Sequence, residues 1–151
     1  MFNFNHILVA RDLSDNSDQA VEYALELARE SEATVHVVYG TFSSGDPDNV
    51  PPEAEIPDDV LLERLEASIE SGTAETPSFH TDGLQVEYAV ARDVAPAPAI
   101  LHYAAEKQVD LIVTGTHGRT GLARLIKGSV SEQVARSAQC PVLTVRQDAH
   151  V

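Results

Sequence analysis

Apolar residues along this chain fall into two alternating patterns, short continuous runs and longer stretches at helical spacing. His6 to Ala10 (HILVA) is a nearly unbroken apolar run, the pattern of a strand buried on both faces. Thr34 to Tyr39 (TVHVVY) is short and β-branched and predicts a second strand. Gln85 to Ala91 alternates and predicts a third, while Asp110 to Gly115 (DLIVTG) and Pro141 to Arg146 (PVLTVR) predict a fourth and a fifth. Between the first two, Asn16 and Gln19 form a helix-start signal, and Val21, Ala24, Leu25 and Ala28 recur at helical spacing to about Glu30. Asp58 and Asp59 open a second helix with Leu61, Leu65 and Ile69 on one face and Gly72 as its stop. Pro96 suits the first turn of a third helix, which Ile100, Leu101, Ala104 and Ala105 carry towards Gln108. Ser129 begins a fourth, ending near Ala138.

Strands alternating with helices imply parallel β-α-β units joined by right-handed crossovers. The predicted fold is α/β: a three-layer, doubly wound, parallel five-stranded sheet of the Rossmann-like kind, one domain over residues 1–151. A ligand crevice is expected beyond the carboxyl ends of its strands. Thr41 to Pro57 (TFSSGDPDNVPPEAEIP) holds four prolines and four acids and predicts a mobile surface loop without regular structure, a solvated linker rather than a lid. Thr73 to Gly83 predicts a second irregular stretch, and the chain has no internal repeat.

Composition narrows the class. The 151 residues are 43% apolar and 23% charged, a globular balance, and no run approaches the ~20 apolar residues that span a bilayer. The opening MFNFNHILVAR lacks a basic region and a small-residue cleavage site, so a cytoplasmic protein is expected. Cys140, the only cysteine, excludes an internal disulfide. A net charge of −14 repels nucleic acid and anionic membrane, so neither is an expected partner. Only Lys107 and Lys127 are lysines, an acid-rich, lysine-poor balance that suits concentrated salt, as in salt-accumulating archaea. Against this background, no acid lies between Asp110 and Glu132, where the chain carries His117, Arg119, Arg124 and Lys127. That window is where an anion is best tolerated.

The window also holds a glycine pattern: Gly115, two residues, Gly118, nine residues, then Gly128-Ser129. Glycine directly after a strand lets the backbone turn and approach a ligand closely. Free N–H groups of such a loop, with those of the helix that follows, favour phosphate oxygens. Arg119 and Lys127 are candidates for charge-assisted bonds to the outer phosphates. The pattern is neither the Gly-Lys-Ser/Thr of P-loop enzymes nor the GxGxxG of dinucleotide enzymes.

With this spacing, GTHGRTGL, GSVSEQVARSAQCPVLTVR and the opening ILVARDLSDNSDQAVEYALELA, the chain resembles the universal stress proteins, in their nucleotide-binding branch. The resemblance runs over essentially the whole sequence and implies an adenine nucleotide α-hydrolase-like fold that binds ATP or another adenine nucleotide. It implies that Asp12 contacts the nucleoside end, that the backbone of Val37 reads the adenine, and that Ala10 is a further nucleotide-binding residue. Gly115, Gly118, Arg119, Gly128, Ser129 and Val130 match the loop around the ribose and phosphates. The sequence departs from the family where Val94 replaces a glycine common after the third strand, and where Thr73 to Gly83 lengthens the path to that strand.

Simpler roles stand beside these. Ser129 with Glu132 forms a capping box that satisfies its own helix, and Asp12 also suits a turn or cap. His117 has no nucleophile paired with it, and His6, His36, His80, His102 and His150 are dispersed, so no catalytic residue and no protein-held metal is expected. Mg²⁺ bridging bound phosphates fits so anionic a chain. The last strand, Val142 to Val145, is an apolar edge, and the resemblance implies a homodimer formed through it. The leading expectation is an ATP-binding sensor or regulator in a stress response. Slow ATP hydrolysis or phosphoryl transfer, and a nucleotide-free dimeric interaction module, are its alternatives.

Overall fold

The computed structural model describes residues 3–12, 17–43, 52–72, 78–116 and 129–146. Its strands are β1 (His6–Ala10), β2 (Thr34–Phe42), β3 (Gln85–Asp93), β4 (Leu111–Thr116) and β5 (Val142–Arg146). Its helices are α1 (Asp18–Ser31), α2 (Asp58–Glu70), α3 (Pro96–Glu106) and α4 (Val130–Ser137). All strand pairs are parallel, in the order β3-β2-β1-β4-β5.

This order explains the two faces. The chain steps from β1 outward to β3, then returns across the sheet to β4 beside β1. Right-handed crossovers put helices of opposite stepping direction on opposite faces. Accordingly Ile7, Val9, Val35, Val37 and Val113 pack under α1 and α2, against Ala24, Leu25, Leu65 and Ile69. Leu8, Val38 and Ile112 pack under α3 and α4, against Ala97, Ile100 and Val134. Both faces of the central strands are covered, which is why their sequences are continuous apolar runs. The expected three-layer, doubly wound sheet is the observed fold.

Several boundaries differ from the sequence expectation. Strand β2 runs to Phe42 and β3 to Asp93 because their ladder continues through Gly40↔Ala91, Thr41↔Arg92 and Phe42↔Asp93. Thr41 and Phe42 therefore belong to the sheet, and Pro52–Glu55 forms a 3₁₀ turn. The expectation that Thr41 to Pro57 lacks regular structure is corrected at both ends; residues 44–51 lie outside those described. Arg92 is the fastener. Its Nη1 donates to the carbonyls of Phe42 (2.9 Å) and Ala54 (3.0 Å), its Nη2 to that of Ile56 (2.6 Å), and its Nε meets Asp58 at 2.6 Å. Helix α1 starts at Asp18 with Ser17 as its N-cap, later than Asn16 and Gln19 suggest; Asn16 lies outside the described residues. Helix α2 ends as expected, with Gly72 at φ 70° just past its C-cap Ser71. Among the described residues, no helix is long and apolar enough to cross a membrane.

At the amino ends of the strands a polar chain enters the core. His36, 2% exposed, has Nε2 3.1 Å from His6 Nδ1, and its Nδ1 lies 2.9 Å from the Tyr103 hydroxyl and 3.3 Å from Glu87 Oε2. Burial pushes the His36 pKa down; Glu87 of β3 opposes that, while His6 of β1 and Lys107 past α3 add to it. Burial likewise raises the Tyr103 hydroxyl to about 12, so it stays protonated. A histidine with a lowered folded pKa binds its proton more tightly when unfolded. Its contribution to stability is thus complete above its ordinary pKa of 6.5 and is lost as pH falls from there towards the folded value. Between pH 7 and 5 the unfolding free energy, and with it the melting temperature, is expected to fall, with a slope in free energy from His36 of at most about 1.4 kcal/mol per pH unit, which His36→Gln removes. Melting curves of both proteins across that range check it; an unchanged slope in the variant contradicts it.

Candidate functional site

A cavity of about 350 Å³ opens at the carboxyl ends of the strands. Its walls come from the end of β1 (Ala10, Arg11, Asp12), the last residues of β2 (Val38 to Phe42) and the end of β4 (Thr114 to Thr116). Pro96 and Ile100 of α3 and Val130 and Ser131 of α4 close its sides. This is where β1 and β4, neighbours in the sheet, send their chains to opposite faces, and a crevice is left between the diverging connections.

The expected site residues divide in three. Ala10, Asp12, Gly115 and Val130 line the cavity, and Ser129 adjoins it as the N-cap of α4. Gly118, Arg119 and Gly128 lie outside the described residues, as does His117. Val37 is separate from the cavity. It is fully buried, paired with Val9 on one side and Tyr88 on the other, so its backbone belongs to the ladder. The cavity wall begins one residue later, at Val38. Val94 is 77% exposed and does not line the cavity.

Helix α4 starts at the cavity edge. The Ser129 hydroxyl accepts a hydrogen bond from the Glu132 amide at 3.2 Å, which realises half of the capping box. Thr114 Oγ1 lies 3.3 Å from Ser131 Oγ, tying the end of β4 to the first turn of α4. The cap satisfies one N–H of that turn, and the dipole of α4 presents its positive end to the same opening.

Across the cavity, Asp12 is exposed and Arg11 is buried at 4% exposure. Arg11 is the sole Lys or Arg among the described lining residues, and sequence reasoning missed it. Its backbone N–H donates to the Val38 carbonyl at 2.9 Å, closing the end of β1 onto β2. Its guanidinium turns under α1 and α2: Nη1 bonds Ser17 Oγ at 3.0 Å and ion-pairs with Asp18, Nε reaches Ser68 Oγ at 3.4 Å, and the group lies 5.6 Å over the Phe79 ring. A charged residue placed directly after a buried apolar run was the available signal.

Gly40 sets the depth of the cavity. A Cβ built there would lie 2.8 Å from both Ile100 Cγ1 and the Pro96 carbonyl oxygen. Only glycine lets the first turn of α3 come this close to β2. The result is a cleft with an acceptor carboxylate on one side, an apolar wall along β2 and α3, and a helix N-terminus opposite. It suits an elongated ligand that carries donors at one end, a flat apolar body and an anionic tail.

Comparison with known proteins identifies the family. The family model described as "Universal stress protein family" matches residues 3–146. A universal stress protein of Methanocaldococcus jannaschii is 32% identical over 149 residues, covering 95% of this chain and 83% of that protein. Universal stress protein YxiE of Bacillus subtilis is 37% identical, covering 95% of this chain and 99% of its own length. Among solved structures, a universal stress protein in complex with cAMP is 26% identical with a TM-score of 0.65, covering 97% of this chain and 100% of that one.

Proposed function

This chain belongs to the universal stress protein family, and on that footing we propose that it binds an adenine nucleotide, ATP foremost, and acts as a sensor or regulator in a stress response. The observation that carries this reading is the cavity at the strand ends, flanked by the Asp12 carboxylate and the N-terminus of α4. In this reading Asp12 and Ala10 hold the nucleoside end. The backbone from Val38 to Phe42 takes the adenine, the role the sequence suggested for Val37. Gly115, Ser129 and Val130 face the ribose and phosphates, joined by Gly118, Arg119 and Gly128 on the strength of their sequence spacing. The similar universal stress protein solved with cAMP supports an adenine ligand. Mg²⁺, if bound with the phosphates, would offset their charge in so anionic a chain.

The protein acts in the cytoplasm as a homodimer of a single domain spanning residues 1–151. Strand β5 supplies the contact: it pairs with β4 on one side, and Val142 and Leu143 are only half-buried. The acid-rich, lysine-poor composition suits a high-salt interior. Calorimetric titration of the full chain with ATP in concentrated salt tests the reading. Saturable heat with one nucleotide per chain is the expected result; no heat and no melting shift at millimolar ATP overturns it.

A further inference from the structure

Ser17 sits where a helix cap belongs and does not cap. It is the N-cap residue of α1, yet its side chain makes no hydrogen bond to the helix. Its backbone, at φ −97° and ψ −1°, is already helical, whereas a capping serine sits in the extended region, so the hydroxyl is left for other partners. Here the partners are Arg11 and Asp12. Arg11 Nη1 donates to Ser17 Oγ at 3.0 Å, and Ser17 Oγ donates to Asp12 Oδ1 at 3.4 Å. The direction is fixed chemically: a guanidinium only donates, so the hydroxyl accepts from it and turns its single proton to the carboxylate. Arg11 and Ser17 are both buried at 4% exposure, whereas Asp12 is exposed at the cavity mouth. The relay therefore runs from a buried cation to a solvent-facing anion.

We propose that Arg11 is a positioning residue for nucleotide binding, acting through the Ser17 hydroxyl to fix the Asp12 carboxylate at the mouth of the cavity. This inference rests on the nucleotide reading above and adds a device to it. Asp18 and the Phe79 ring hold the guanidinium in place, so Arg11 is a fixed post beside the exposed Asp12. A carboxylate only accepts, so the ligand group that Asp12 reads must be a donor, a sugar hydroxyl or an exocyclic amine. Holding one carboxylate oxygen in advance lowers the ordering cost when that donor arrives. The buried positive charge also offsets part of the repulsion between Asp12 and an anionic ligand.

The test is a double-mutant cycle on ATP affinity, using Ser17→Ala, Asp12→Ala and the pair, with AMP as a second ligand. Ser17→Ala keeps the Arg11–Asp18 ion pair and removes a hydroxyl that also lines the cavity, so the cycle with Asp12→Ala isolates the part that runs through the carboxylate. Ser17→Ala is expected to weaken ATP and AMP alike by about three- to ten-fold, the range for one ordinary hydrogen bond, since the contact to the carboxylate is long at 3.4 Å. In the Asp12→Ala background the same change is expected to have no further effect, because the relay then has no end. Melting curves confirm that all the variants are folded. Full affinity in Ser17→Ala, or an equal loss in both backgrounds, overturns the relay while leaving nucleotide binding intact. A wild-type chain that binds neither ligand overturns the nucleotide reading, and the relay with it.

Discussion

Valine in place of Gly40 is expected to destabilise the protein by about 3 kcal/mol and to weaken nucleotide binding sharply, because the added atoms have nowhere to go. Even the first of them meets Ile100 Cγ1 and the Pro96 carbonyl at 2.8 Å, and Ile100 Cδ1 at 3.0 Å. Ile100 is 2% exposed, so its side chain has little room to turn aside. The carbonyl belongs to the first turn of α3, so moving it moves the helix. Gly40→Ala separates the two effects. It is expected to cost about 1–3 kcal/mol by crowding alone, whereas valine also puts two methyl groups towards the cavity wall. At this chain length each kcal/mol lowers the melting temperature by about 2–4 °C, well within reach of calorimetry. An alanine variant that melts with the wild type would mean that α3 does not lie this close to β2.

Removing the buried cation is expected to be as costly. Arg11→Leu leaves Asp18, whose side chain is 18% exposed, without its ion-pair partner, and takes a hydrogen bond from each of the buried Ser17 and Ser68. Breaking one side of a buried ion pair typically costs 3–5 kcal/mol, and the partial exposure of Asp18 places this case at the lower end, about 3 kcal/mol. Arg11→Leu combined with Asp18→Leu is expected to recover part of the loss, since no uncompensated charge remains. Urea denaturation of the single and double variants checks this. A double variant less stable than Arg11→Leu alone contradicts the assignment of the cost to a stranded charge.

The strands were legible because parallel strands covered on both faces are largely apolar, and HILVA, TVHVVY and DLIV are so apart from His6, Thr34, His36 and Asp110. Their ends were not. Gly40 and Thr41 look like the start of a loop, yet the ladder with β3 carries β2 on to Phe42. Glycine there answers to the approach of α3, a contact from residues 56 and 60 positions away along the chain. Val37 illustrates a related difficulty. The sequence identifies the strand but not its depth in the sheet, and that depth is set by the pairing of Ala10 with Val38. A shift of one or two residues along a strand, about 3.3 Å each, separates a core position from the cavity wall. Arg11 was missed for the same reason, since Ser68 and Phe79 meet it only after α2 has folded back onto the sheet. By contrast, the Ser129–Glu132 cap and the Gly72 stop are local devices, and both appear where the sequence places them.

The most direct test of the account is where nucleotide touches the folded chain. In a titration with ATP followed by amide ¹H–¹⁵N correlation spectra, the amides of Asp12, Gly40, Gly115 and Val130 are expected to shift together and saturably, while those of Gln85 and Lys107, at the opposite end of the sheet, stay in place. Shifts confined to other surfaces, or none at saturating ATP, would contradict a nucleotide site at the carboxyl ends of the strands.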